Sequence, residues 1–139
     1  MEVIVGKNAG FCYGVERSVS GAQEILKSTN EKVFCLGEIV HNQEVVKNLE
    51  SQGMVVVDTI EETSQKAIIR AHGASKSTYE YAKKHQIELL DFTCPNVLKI
   101  HEIVEEYANN DFFIMLFGGK NHPETIATKS FARKLLCCD

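Results

Sequence analysis

No stretch of this sequence approaches the ~20 consecutive apolar residues of a membrane-spanning helix. Its start, MEVIVGKNAGF, lacks the basic opening and long apolar centre of a secretory leader. The cytoplasm is therefore the expected compartment, and a membrane partner is not expected. No block of like charge stands out and the formal net charge is −4, so a nucleic-acid partner is not indicated. GxGxxG does not occur, and GGKN lacks the upstream glycine and the Ser/Thr after lysine that a P-loop requires. No CxxC or HxxxH pair supplies the local spacing of a structural zinc site. HEIVE opens like a zinc-protease helix, but Glu105 stands where the second histidine is needed.

What is present fits a packed globular chain. Apolar residues make up 44% and charged residues 24%, close to the globular average, so disorder is not expected. A length of 139 residues suits one ordinary domain, or one and a fragment. The five cysteines form an odd set, and a reducing compartment disfavours pairing them.

Strand and helix signals alternate along the chain. EVIVG (Glu2–Gly6) reads as a strand, and GVERSVSGAQEILKS after it places Val15, Val19, Ala22, Ile25 and Leu26 at helical spacing. KVFCLG is the next strand. NQEVVKNLESQG has an Asn cap and a Gly stop. MVVVD and KAIIRAHG are strands, and SKSTYEYAKKH is a helix with a Ser cap and basic residues in its last turn. IELLDFT is a strand, followed by a helix just behind Pro95. DFFIMLFGG is nearly all apolar, as expected of a parallel strand covered on both faces. Helix-length connections between most strands predict an α/β fold with a mostly parallel sheet and helices on both faces. A soft boundary near Thr93–Pro95 divides residues 1–93 from 94–139.

The chemistry-bearing residues fall just after these strands. Cys12 follows the first, His41 the second, His72 the segment KAIIRA, and Cys94 the segment IELLDFT; His122 and Glu124 follow DFFIMLF. In an open parallel sheet, ligands bind outside the carboxyl ends of the strands, so two thiols, three imidazoles and a carboxylate should share one edge. Helix N-termini at that edge favour anions and thiolates. Each residue also has a plainer reading. Cys12 and Cys94 could be small buried apolar groups, His72 could close a turn, and Glu124 could stabilise a first helical turn. Shared placement of all six favours a site. Cys35, inside a strand, reads as core, and His85, near a helix end, as solvated.

Taken together, GFCYGVERSV, EIVHNQEVV, AHGAS, DFTCPNV and NHPET resemble the 4-hydroxy-3-methylbut-2-enyl diphosphate reductases, in order and spacing, over roughly residues 1–130. The resemblance implies a three-lobed α/β fold around a [4Fe–4S] cluster, with residues 1–93 as the first lobe and 94–139 as part of the second. It implies Cys12 and Cys94 as two of three cluster ligands. His41, His72 and His122 would surround the diphosphate and the substrate chain, and Glu124 would supply protons as the hydroxyl leaves. It further implies a ferredoxin or flavodoxin as electron donor, and isopentenyl and dimethylallyl diphosphate as products of reductive dehydroxylation in isoprenoid biosynthesis.

Family members are longer, with their third cysteine ligand expected beyond residue 139. The chain is thus expected to be truncated and inactive, with a frayed terminal KLLCCD unlike the family's continuation. Two other readings stay open: a non-catalytic remnant that binds diphosphate, and a Cys/His zinc hydrolase.

Overall fold

The computed structural model describes residues 1–7 and 9–138. Four short strands, β1 (Val33–Leu36), β2 (Met54–Val57), β3 (Lys66–Ile69) and β4 (Glu88–Asp91), form one sheet in the order β2-β1-β3-β4. Every pairing is parallel, with Val33 beside Met54, Cys35 beside Ile68, and Ile69 beside Asp91. Helix α1 (Tyr13–Ser28) precedes the sheet, α2 (Gln43–Ser51) links β1 to β2, a 3₁₀ turn (Ile60–Glu62) leads into β3, and α3 (Lys76–His85) links β3 to β4. Helix α4 (Pro95–Asn109) then leads to a two-stranded parallel sheet of β5 (Ile114–Phe117) and β6 (Leu135–Cys138), joined through α5 (Pro123–Lys129).

The strand period of two sorts the core. Val33 and Cys35 face α1 and α2, where Val19, Ala22, Leu26, Val46 and Leu49 bury against them. Leu36, Ala67 and Leu89 belong to the opposite cluster with Ile60, Ala82 and Ile87. Helices therefore cover both faces, which explains strands such as MVVV with no polar alternation. The caps sit as the sequence predicts. Asn42 accepts from the Glu44 and Val45 N–H groups, and Ser75 accepts from Thr78 N–H. No helix among the described residues is long and apolar enough to cross a membrane.

Three expectations need correction. Glu2–Gly6 is not a strand: it lies outside both sheets, with Val3, Ile4 and Val5 largely exposed. A strand pattern becomes a strand only beside a partner, and no described segment offers it one. Second, β5 is covered on one face only. Ile114 and Leu116 are half-buried, while Met115 and Phe117 are exposed, because its sheet has only two strands with helices packed on one side. Third, the terminal segment is not frayed over its described residues, 134–138. Leu135–Cys138 pairs residue for residue with Ile114–Phe117, and Cys137 Sγ lies 3.5 Å from the Gly118 carbonyl.

Candidate functional site

Strand β1 connects to β2 on one side and β3 connects to β4 on the other, so the β1/β3 boundary is the point where the topology reverses. The loops leaving the carboxyl ends of β1 and β3 flank the crevice that forms there. Buried Ile39 and Val40 anchor the first loop and hold His41 at the surface. Buried Ala71 anchors the second, where Gly73 turns with φ +76° immediately after His72. The two loops are tied together: Arg70 Nη1 donates to the Glu38 carbonyl at 2.8 Å.

The second sheet brings His122 to the same place. The His72 ring centroid lies 5.5 Å from that of His41 and 5.3 Å from that of His122. One nitrogen from each ring falls within 4.8 Å of the others. Burial pushes the His72 imidazole down to about 4, with Arg70, His122 and His41 lowering it further. His72 is therefore neutral at physiological pH, and its buried Nδ1 has no hydrogen-bond partner among the described residues. His122 caps α5, its Nδ1 accepting from the Glu124 backbone N–H at 3.3 Å. With that lone pair engaged, the proton of the neutral ring sits on Nε2. An N–H pointing outward suits an anion, whereas a metal would need a free lone pair. Glu124 is the second residue of α5, two positions from the ring it supports.

The thiols lie at two other helix starts. Cys12 is the N-cap of α1 and Cys94 the N-cap of α4, and neither side chain makes a capping hydrogen bond. Cys12 is exposed and Cys94 half-buried. The first turn of α1 presses on Cys94: a Cβ added at Gly14 would lie 2.8 Å from Cys94 Sγ. Only glycine allows that approach, which brings the starts of the two helices together. Arg17 of α1 locks the arrangement by donating to the Thr93 carbonyl at 3.1 Å. Thr93 is fully buried, and its N–H donates to Asp91 Oδ1 at 2.8 Å. The Cys94 N–H donates to the Ala71 carbonyl at 3.0 Å, beside His72. The three imidazoles thus form one cluster, and the start of α4 that carries Cys94 is tied by its backbone to Ala71, next to His72. Two free thiols at adjacent helix starts, in a cradle a methyl group would fill, fit a soft thiolate-bound group.

Arg17, Arg70 and Asp91 were not singled out from the sequence. Arg17 and Arg70 reach partners remote along the chain, and no local pattern marks any of the three. A cleft of about 510 Å³ runs beside the cluster, walled by Gly37, Arg70, Gly73, Ser75, Pro123 and Ile126, and none of the three imidazoles lines it.

A family model described as LytB protein matches residues 3–138, so the match runs through β6, beyond the expected end near residue 130. The 4-hydroxy-3-methylbut-2-enyl diphosphate reductase of Caldanaerobacter subterraneus subsp. tengcongensis is 41% identical over 138 residues, covering 94% of this chain and 47% of that protein. The enzyme of the same name from Aquifex aeolicus is 37% identical over 134 residues, covering 96% of this chain and 46% of that one. The solved E-1-hydroxy-2-methyl-but-2-enyl-4-diphosphate reductase of Plasmodium falciparum superposes with a TM-score of 0.91 at 34% identity, over 96% of this chain and 43% of that chain. The chain spans about half the length of the curated relatives it matches. With the family model covering nearly every residue, the chain belongs to the LytB protein family.

Proposed function

We propose that this chain carries the imidazole, thiolate and carboxylate part of a 4-hydroxy-3-methylbut-2-enyl diphosphate reductase site. The observation that carries the reading is the convergence of His41, His72 and His122 from three separate strand ends. Cys12 and Cys94 would hold a [4Fe–4S] cluster, for which thiolates are the fitting ligands. When bound, that cluster supplies Lewis acidity and electrons, which a ferredoxin or flavodoxin would deliver, for reductive loss of hydroxide.

The chain's own groups then bind, orient and protonate. His122 offers its Nε2–H to a diphosphate oxygen. His72 is neutral and would carry its one ring proton on the nitrogen that faces the ligand. Each such charge-assisted bond is worth about 1.5–3 kcal/mol, so three imidazoles make a real contribution to affinity. His41, exposed at the rim, closes the set from the β1 side. Glu124 is held beside His122 and would give its proton to the departing hydroxyl, which leaves as water. The products would be isopentenyl and dimethylallyl diphosphate. In the same reading, residues 1–93 are the first of three lobes and 94–139 part of the second.

Calorimetric titration with 4-hydroxy-3-methylbut-2-enyl diphosphate tests this. Wild type should bind one equivalent. His72→Ala should weaken binding about tenfold, one charge-assisted hydrogen bond, while Glu124→Gln binds as wild type. Absence of binding by the wild type, or equal binding by His72→Ala, contradicts the reading.

A further inference from the structure

His101 lies in the middle of α4, outside the set of residues so far given a role. It is only 3% exposed, and neither ring nitrogen has a hydrogen-bond partner among the described residues. The carboxylate that acts on the ring electrostatically, Asp91, does not serve it: its Oδ1 takes the Thr93 N–H and hydroxyl, and its Oδ2 takes the Tyr79 hydroxyl at 2.9 Å. A sealed, unpaired imidazole is a costly way to fill a core, since its nitrogens lose water and gain nothing.

The ring's two contacts give it a use. One is the turn that follows His72: a Cβ at Gly73 would lie 2.8 Å from His101 Cε1, so the ring sits directly beneath that turn. The other is Phe131, whose ring stacks on His101 with centroids 4.5 Å apart and an interplanar angle of 19°. Phe131 closes the turn that ends α5, its N–H donating to the Thr128 carbonyl. Helix α5 carries His122 at its other end. A second link runs parallel to the first, where the Lys76 N–H, just beyond the His72 turn, donates to Ser130 Oγ at 2.8 Å. One ring is thus gripped on one side by the loop bearing His72 and on the other by the helix bearing His122.

We propose that His101 is a positioning residue whose ring, wedged under Gly73 and stacked on Phe131, sets His72 and His122 at their working separation. This role rests on the diphosphate reading of the three imidazoles. Since both nitrogens are sealed and unused, the ring acts through its shape, and phenylalanine should replace it where alanine cannot.

The experiment compares wild type, His101→Phe, His101→Ala and Phe131→Ala with inorganic pyrophosphate as the probe. Calorimetry gives affinity, and histidine-ring NMR gives the His72 titration midpoint without any ligand. His101→Ala and Phe131→Ala should weaken pyrophosphate about tenfold, the equivalent of one hydrogen bond held out of place. Both should also move the His72 midpoint up from about 4 toward its ordinary value as water reaches the loosened loop. His101→Phe should restore affinity and midpoint together, a rescue that general destabilisation of the fold does not produce. Should His101→Ala not fold, Phe131→Ala reads the same contact from the other side. An unchanged His72 midpoint and affinity in the alanine variants overturns the proposal, as does a His101→Phe variant as impaired as His101→Ala. If the wild type does not bind pyrophosphate, the diphosphate reading fails, and the ligand-free His72 midpoint still decides whether His101 holds the loop.

Discussion

Cys35 lies in β1 with no exposed surface, and burial pushes its thiol up to about 12, against a smaller lowering by Arg70. Its Sγ is 3.3 Å from the Gly37 carbonyl. Cys12 stands exposed at the mouth of α1. Because the thiolate is the reactive form, the two should part company under iodoacetamide. At mildly alkaline pH, peptide mapping should find Cys12 carboxymethylated in the folded protein and Cys35 only after denaturation. Early modification of Cys35 would show that β1 is not the sealed centre of the sheet. The difference was legible in the sequence: Cys35 sits within an apolar run, whereas Cys12 sits between glycines before a helix. Placement after a strand marks His41, His72, His122, Cys94 and Glu124; Cys12 follows no strand in the fold, and His122 and Glu124 follow a strand of the second sheet. Arg17 and His101 escape that rule. Arg17 reaches the Thr93 carbonyl across 76 residues of sequence, and His101 acts on a loop that precedes its own helix by a strand and another helix. Such partnerships exist only after folding.

At the scale of elements, helix periodicity and caps were readable because they are local, while strands needed partners. EVIV has a strand pattern and no described neighbour, and KLLCC has a short apolar run that pairs with β5. Nothing in either segment distinguishes the two outcomes. The close approach of α1 to the start of α4 is likewise a contact between elements, and Gly14 permits it. Gly14→Ala should push the helix starts apart, since the added carbon would meet Cys94 Sγ at 2.8 Å. Anaerobic treatment with iron and sulfide should give wild type a broad absorbance near ~400 nm, as Cys-ligated iron–sulfur groups do. The Gly14→Ala protein, still helical by circular dichroism, should develop that band several-fold less, as should Cys94→Ser. Equal yields from wild type and Gly14→Ala would show that the packing of α1 on Cys94 is irrelevant to the thiol pair.

Across the whole molecule, the site belongs to no single sheet. His41 and His72 come from the four-stranded sheet and His122 from the two-stranded one, joined through α4, the His101–Phe131 stack and the Lys76–Ser130 hydrogen bond. The second sheet keeps an apolar face in water, with Met115, Phe117 and Leu136 each about half exposed or more. The sequence announced an apolar strand there but could not show how many of its faces would be covered, which depends on how many strands and helices assemble around it. Three rings drawn from two sheets should nonetheless respond to one anion as a unit. A negative ligand favours the charged imidazole, so the His72 midpoint should rise on binding. By linkage, affinity should fall as pH rises from the free to the ligand-bound His72 midpoint. The most direct measurement is a pyrophosphate titration of the full chain followed by histidine-ring NMR. The resonances of His41, His72 and His122 should shift together with one apparent Kd, and the His72 midpoint should climb from about 4, while His85, at the far end of α3, stays where it is. Three unmoved rings, or a response confined to His85, would contradict the account.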